Sequence, residues 1–179
     1  MRYPSVTTVL SRYSDFSRVP PDVLQAASER GTRLHCICQA LAEGLWVPDI
    51  DPGDTPYIQS FTLWFEAAVD KVIATEPELK CKRYGFVGHP DAIVKIKGDD
   101  GLLLVDLKSP VSMQKSWALQ LSAYYHLAKE KWPAINRVGS LRLSPEGKPA
   151  KFDEFTKDLS RLFNIFVSAL NCHNYFAKE

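Results

Sequence analysis

The sequence has few of the features that mark membrane, secreted or strongly basic proteins. Its longest strongly apolar run, Leu102–Val105, has four residues, far short of the roughly 20 that cross a bilayer. The first 20 residues contain no apolar segment of the secretory-signal kind. The four cysteines include no C-x-x-C pair, which favours reduced thiols over a disulfide scaffold. We therefore expect a cytoplasmic protein with no membrane partner.

A global charge of one sign is also missing. The chain has 22 Lys+Arg against 21 Asp+Glu, a formal charge of +1, so a nucleic-acid partner would have to be held by a local patch. No G-x-x-x-x-G-K-[ST] sequence is present, and we expect no bound nucleotide. The 179 residues, 45% of them hydrophobic, are typical of one globular domain.

The hydrophobic period changes along the chain and predicts an α/β (α+β) fold, with a central mixed sheet of about four to five strands flanked by helices. We predict a single domain over 1–179. It comprises a mostly helical part (1–75), a sheet core (76–153) and a C-terminal helix (154–174). Helices are predicted at 23–45 (interrupted by Gly31), 58–74 and 115–131, and strands at 79–87, 89–97, 102–108, 137–143 and 148–152.

Charged residues gather at one predicted end of the sheet. Asp91 begins the strand 89–97, and a turn at 98–101 leads to a strand that ends in Asp106-Leu107-Lys108. Asp106 and Lys108 leave the strand from the same face, and the hairpin brings Asp91 alongside Asp106. Two carboxylates and the Leu107 carbonyl would form an oxygen cage for a divalent cation, with Lys108 beside it.

The alternative for these residues is an ordinary Asp–Lys ion pair, which contributes little to stability. Spacing alone does not separate the two interpretations. Four apolar residues precede Asp106, and charges at the end of a buried strand are costly unless they are paired or ligated. This favours the metal site.

The pattern P-D…D-x-K resembles that of the PD-(D/E)XK nuclease superfamily. As in that family, a hairpin is predicted between the two halves of the pattern, and a helix follows it. Gln120-Leu121-Ser122-Ala123-Tyr124 is similar to the Q-x-x-x-Y element of the RecB-like exonuclease branch. Gly31-Thr32-Arg33-Leu34-His35 is similar to the G-x-x-x-H helix of that branch, and Tyr3-Pro4-Ser5-Val6-Thr7 looks like the opening of phage-borne members. The resemblance runs from about Gly31 to Tyr124.

The resemblance implies a restriction-endonuclease-like core with an N-terminal helical segment. It implies that Mg²⁺ or Mn²⁺ is bound by four groups: His35, Asp91, Asp106 and the Leu107 carbonyl. Lys108 would orient the attacking water or stabilise the transition state. Gln120 and Tyr124 would reach toward the active site or the DNA backbone. Without the resemblance, a structural histidine and a satisfied amide on a helix face would be the favoured interpretations.

Further site residues are less sharply defined by the sequence. Either Glu76 or Glu78 could supply the acid that often completes this family's site, and we favour Glu76. Lys80, Lys82 and Arg83 form a candidate DNA-binding cluster, with a solvated lysine face as the alternative. Some relatives hold an iron–sulfur cluster on cysteines near the C-terminus, but only Cys172 lies there, so we expect none.

These observations predict a metal-dependent deoxyribonuclease that acts from linear double- or single-stranded DNA ends. Phage recombination or DNA repair is the context that the resemblance implies, with a recombination or helicase protein as a candidate partner. Two alternatives stay open: a non-cutting nucleic-acid-binding module of the same fold, and a structure-selective endonuclease.

Overall fold

The computed structural model describes residues 3–13, 19–110 and 112–177; the other residues of the predicted domain lie outside this description. The helices are α1 (Val6–Leu10), α2 (Pro21–Ala42), α3 (Thr55–Ala68), α4 (Lys115–Ala128) and α5 (Leu159–Phe176), with a short 3₁₀ helix at Ser11–Tyr13. The strands are β1 (Val69–Thr75), β2 (Leu79–Cys81), β3 (Phe86–Gly88), β4 (Ala92–Ile96), β5 (Leu102–Lys108), β6 (Ile135–Arg142) and β7 (Lys151–Glu154).

Helix α2, which carries His35, is one continuous helix of 22 residues. It begins at Pro21, where the missing N–H costs nothing because first-turn amides have no partner within the helix. Gly31 does not divide it, contrary to the interruption expected from the sequence. The helix ends before Gly44, whose φ of 73° is left-handed backbone that glycine adopts without strain.

The main sheet is mixed and has five strands, in the order β1-β4-β5-β6-β7. Strand β5 lies at its centre, antiparallel to β4 and parallel to β6, and α4 makes the crossover between β5 and β6. The unbroken apolar run of β5 therefore reflects a strand that is covered on both faces. The predicted α/β class and the mixed sheet of about four to five strands are confirmed.

Two hydrophobic cores cover the two faces of the sheet. Helices α1, α4 and α5 pack on the face that carries Ile93, Leu104 and Val138. Helices α2 and α3 pack on the face that carries Val94, Leu103 and Leu141. Side chains alternate between the two cores along each strand, as the pleat requires. The even-numbered residues of β5, including Asp106 and Lys108, thus face the side of α4.

Besides the interruption at Gly31, two sequence predictions of local structure are wrong. The second half of the helix predicted at 58–74 is the edge strand β1, which pairs antiparallel with β4. The apolar spacing of Val69 and Val72 fits either structure over so short a stretch, and the pairing with a distant strand decides it. The strand predicted at 79–87 is a hairpin, β2 and β3, that turns through Gly85 at a φ of 71°.

The other predicted elements differ from the observed ones at their ends, and α1 and the 3₁₀ helix were not predicted. Helix α5 begins at Leu159, five residues later than predicted, because β7 extends to Glu154. Along the described ranges, no helix has the length and apolar character needed to cross a membrane.

Candidate active site

Asp91 and Asp106 are brought together by the register of β4 and β5. Ala92 pairs with Val105 in this antiparallel pair, so the next pair outward consists of the two aspartates. Asp91 lies just before β4 and bends toward the neighbouring strand, where its Oδ2 accepts a hydrogen bond of 2.5 Å from the Leu107 backbone N–H. Two carboxylates thus lie side by side at one end of the sheet, as the sequence predicted.

His35 reaches the same place from the other face of the sheet. It lies on α2, and its Nδ1 donates to Asp91 Oδ1 across 2.8 Å. Burial alone would lower the pKa of His35, but the charge of Asp91 and this hydrogen bond outweigh burial and raise the pKa. One carboxylate oxygen of Asp91 is therefore hydrogen-bonded to a residue of α2, and the other to a residue of β5. These two bonds fix the orientation of the side chain.

Asp106 and Lys108 form a buried ion pair on β5. Lys108 Nζ lies 2.5 Å from Asp106 Oδ2, and the two side chains are only 14% and 3% exposed. Burial raises the pKa of Asp106, and the neighbouring Asp91 raises it further, against the opposing effect of Lys108. Oδ2 has this ammonium beside it and accepts no hydrogen bond from another described residue. An added cation would meet an oxygen that lacks a full set of partners.

Lys108 is held from the other side by helix α4. Its Nζ donates to Gln120 Oε1 across 2.9 Å, and Gln120 Nε2 donates to Tyr124 Oη across 3.1 Å. The Lys108 ammonium also lies 5.6 Å from the centre of the Trp117 ring, which suits a cation–π contact. Trp117 is buried, so its ring packs on the lysine and is not exposed to solvent.

Gln120 and Tyr124 thus contact the predicted site through Lys108. They lie one helical turn apart on the buried face of α4. Burial raises the pKa of the Tyr124 hydroxyl, and the nearby Asp106 raises it further. Tyr124 is therefore a neutral hydrogen-bonding group, and it ends the chain of contacts that begins at Lys108.

Glu76 and Glu78 lie in different surroundings. Glu76 lines a cavity together with His35 and Asp91, and its backbone N–H donates to the Asp91 carbonyl. Its φ of 39° is unusual for a residue with a side chain. Glu78 instead pairs with Lys80 at 2.5 Å. The geometry brings Glu76 to the cluster and leaves Glu78 just before the β2–β3 hairpin.

The basic cluster lies on that same hairpin. Lys80 is on β2 and is paired with Glu78, while Lys82 and Arg83 are exposed in the turn. The guanidinium of Arg83 lies 5.4 Å from the Tyr84 ring centre. These side chains do not join the Asp91–Asp106 cluster, and their role in DNA binding stays a prediction.

Gly88 is a residue that the sequence reasoning did not single out as part of the site. A Cβ at this position would lie 2.8 Å from Tyr124 Cε1 and 2.8 Å from Leu127 Cδ1. Glycine therefore lets β3 approach α4 closely where Tyr124 is held. Its position immediately before His89-Pro90-Asp91 is the only signal that the sequence offers.

The donors at this end of the sheet suit a hard divalent cation in kind: two carboxylates, an imidazole and backbone carbonyls. Within the described ranges, no group of three or more His, Cys, Asp or Glu side chains is arranged as a metal cage. The present pairings account for this, because His35 engages Asp91 and Lys108 engages Asp106. A bound cation would have to replace part of the positive charge that His35 and Lys108 now supply to the two carboxylates. Asp106 Oδ2, which contacts the Lys108 ammonium, fits such an exchange.

The cysteines lie apart from this cluster. Cys36 and Cys38 are both on α2; Cys36 is exposed and Cys38 is buried. Burial raises the pKa of the Cys38 thiol. The prediction that the protein holds no iron–sulfur cluster is not tested by these positions.

No protein-family model and no curated protein sequence matches the chain. Solved structures show distant likenesses. An alkaline exonuclease, LHK-Exo from Laribacter hongkongensis, is 12% identical with a TM-score of 0.45, over 98% of this chain and 91% of that one. The same protein in complex with dAMP gives 14% identity and a TM-score of 0.44, over 98% and 91%.

A protein described as SSO0001 is 17% identical, with a TM-score of 0.43, over 70% of this chain. This chain spans 58% of the length of SSO0001. The proposals that follow rest on the geometry of the site.

Proposed function

We propose that this protein is a Mg²⁺- or Mn²⁺-dependent deoxyribonuclease of the PD-(D/E)XK type, resembling the RecB-like exonucleases. It hydrolyses phosphodiester bonds from linear DNA ends, in phage recombination or DNA repair. The observation that carries the proposal is the meeting of Asp91, Asp106 and Lys108 at one sheet end, with His35 on one side and Gln120 on the other.

Lys108 is the group best placed to act on a phosphate. Asp106 and Gln120 restrain two sides of its ammonium, and the Trp117 ring covers a third. An ammonium held in this way keeps a fixed direction for its remaining N–H. Directed at the scissile phosphate, it stabilises negative charge or orients the attacking water.

Gln120 and Tyr124 are positioning residues in this proposal. Gln120 accepts from Lys108 and donates to Tyr124, so that its amide is fixed at both ends. A fixed amide limits the motion of the Lys108 ammonium, which would otherwise have several rotamers. Gly88 supports the arrangement, because its missing side chain leaves space for the Tyr124 ring.

The residues that would hold a divalent cation are Asp91, Asp106, His35 and the Leu107 carbonyl, with Glu76 as a further acid. When bound, the cation supplies positive charge that polarises the phosphodiester and the attacking water. Asp91 is oriented by the Leu107 N–H, so its carboxylate is fixed before any ligand arrives. His35, on α2, holds Asp91 in place through its hydrogen bond and partly balances the negative charge of Asp91.

The test is a time course on end-labelled linear DNA with Mn²⁺ and with chelator, comparing wild type and Lys108→Ala. We expect metal-dependent digestion by wild type and a loss of about 10²–10³ in rate for the variant. Lys131→Ala is the matched control. Lys131 follows the end of α4 and its ammonium packs on Trp132, so that variant should keep wild-type rates.

Other outcomes separate the alternatives. Cutting of covalently closed circular DNA would favour a structure-selective endonuclease. Binding of DNA and Mn²⁺ by folded wild-type protein without cutting would favour a non-cutting module of the same fold. Activity that survives Lys108→Ala would contradict the assigned site.

A further inference from the structure

Ser140 lies beside Asp106 on the neighbouring strand. The two residues are partners in the parallel register of β5 and β6, and Ser140 is also paired with Asp153 on β7. Partners in register point to the same face of a sheet. Val138, two residues earlier on β6, lies in the core under α4 and α5. The Ser140 hydroxyl is therefore on the same side as the Asp106 carboxylate.

The Ser140 hydroxyl has no hydrogen-bond partner among the described residues. Ser140 is fully buried, at 0% exposure, and its Oγ makes no hydrogen bond. Unpaired buried polar atoms are rare because each costs desolvation energy. Asp106 Oδ2 is buried beside it and contacts the Lys108 ammonium at 2.5 Å, and a carboxylate oxygen can accept a second hydrogen bond. The buried hydroxyl therefore points to a missing interaction with this carboxylate.

Asp153 on β7, the other register partner of Ser140, already has hydrogen-bond donors. Both carboxylate oxygens of Asp153 accept from Arg142, at 2.7 Å and 3.2 Å. Asp153 therefore has a bidentate partner of opposite charge. Asp106 differs, because its Oδ2 contacts one ammonium, that of Lys108, and accepts no hydrogen bond from another described residue. Between the two register partners of Ser140, Asp106 is the one that can accept a further donor.

We propose that Ser140 is a positioning residue for Asp106, and that one buried water links its hydroxyl to Asp106 Oδ2. A hydroxyl is a neutral donor, so it orients the carboxylate without adding positive charge that would oppose a cation. A buried water between two such groups is common where direct contact falls short. The positioning role rests on the proposed function; the Ser140–Asp106 interaction does not.

The first measurement is a double-mutant cycle in metal-free protein. Thermal unfolding is recorded for wild type, Ser140→Ala, Asp106→Asn and the double variant. If the hydroxyl is bonded to Asp106, Ser140→Ala lowers the unfolding temperature of wild type by about 2–4 °C. The same change in the Asp106→Asn background should have a different effect, since the partner has been altered. Equal shifts in both backgrounds would overturn the proposal.

The second measurement is Mn²⁺ binding to wild type and Ser140→Ala, followed by electron paramagnetic resonance without DNA. Residues that orient metal ligands typically change metal affinity by about 10–100-fold, and we expect weakening in that range for Ser140→Ala. Ser60→Ala is the matched control. Ser60 is also fully buried, but its hydroxyl accepts from the Ser144 N–H, so its loss should affect stability and leave Mn²⁺ affinity unchanged.

The results distinguish failure of this inference from failure of the proposed function. Wild type that binds no Mn²⁺ and cuts no DNA would contradict the nuclease, while the metal-free cycle would still decide whether Ser140 and Asp106 interact. Wild type that binds Mn²⁺ with the same affinity as Ser140→Ala would leave the nuclease standing and refute the positioning role.

Discussion

Replacing Lys108 by methionine tests whether Lys108 stabilises the charged form of Asp106 in the folded protein. Methionine keeps most of the length of the side chain and removes the ammonium. The carboxylate of Asp106 is then left 3% exposed without its cation. Removing one partner of a buried ion pair costs about 3–5 kcal/mol. For a protein of 179 residues, this corresponds to a loss of roughly 6–20 °C in unfolding temperature.

The pH dependence of this loss has a definite sign. Burial raises the pKa of Asp106 in the folded protein, above the value of about 3.9 expected for the unfolded chain. Below the unfolded pKa the carboxyl is neutral in both states and removal of Lys108 costs little. The penalty grows as the pH rises from the unfolded pKa toward the folded pKa, because the unfolded chain then ionises freely while the buried carboxyl resists ionisation. We therefore expect a larger loss at pH 8 than at pH 5.

The assay is thermal unfolding at both pH values, with chelator and with Mg²⁺. Mg²⁺ should stabilise Lys108→Met more than it stabilises wild type, because Lys108 no longer competes for Asp106 Oδ2. Lys108→Met combined with Asp106→Asn should recover much of the lost stability, and Lys131→Met serves as a control for a lost lysine elsewhere. Wild-type stability of Lys108→Met at pH 8 would refute the buried pair. An equal Mg²⁺ shift in both proteins would refute Asp106 as a ligand.

Three further predictions concern residues around the site and the core. Gly88→Ala should lower stability by about 1–3 kcal/mol, because the new Cβ would lie 2.8 Å from the Tyr124 ring; urea unfolding measures the loss, and a wild-type midpoint would contradict it. Burial lowers the pKa of His126, so the folded protein resists its protonation and wild type should lose stability relative to His126→Phe as the pH falls from about 7 to 5; parallel pH profiles would contradict this. Arg33→Ala should lower the unfolding temperature, because it leaves the buried Asp54 carboxylate without its two hydrogen bonds of 2.8 Å and 3.2 Å; Arg33→Ala combined with Asp54→Asn should lose less.

The central part of the fold was predictable because its signals are local. Four apolar residues followed by Asp106-Leu107-Lys108 define a buried strand with a charged end, and the strand was predicted with its observed bounds, Leu102–Lys108. The turn at 98–101 places Asp91 next to Asp106 once the hairpin closes. In this case, short-range patterning decides which groups meet.

Strand β1 was not predictable in the same way. Its residues follow α3 directly, and Val69 already has extended backbone angles of −85° and 127°. The pairing of Val69 with Ile96 on β4 is a contact between residues far apart in the sequence. Propensity alone cannot anticipate such a pairing, because the stabilising partner is absent from the local window.

The links between side chains were likewise beyond the sequence. The spacing of Gln120 and Tyr124 put them on one helix face, but not in contact with Lys108. That contact depends on how α4 lies across β5, which is set by packing of the core around Leu104 and Leu121. Ser140 gave no signal at all, since a serine within an apolar strand is unremarkable until its register partner is known.

Two adjacent carboxylates repel each other in the absence of a cation, and neighbouring bases in this site offset that repulsion. The charge of Asp91 adds to the effect of burial in raising the pKa of Asp106. Each carboxylate is paired with one base from a different element: Asp91 with His35 on α2, and Asp106 with Lys108 on β5. The pairs keep the acids close together before any ligand binds, which avoids reorganisation when one does. They also set the condition for binding, because an incoming cation must compete with both bases. The affinity for a cation is thus a difference between two charge-balanced arrangements, and Lys108 controls that difference through its contact with Asp106 Oδ2.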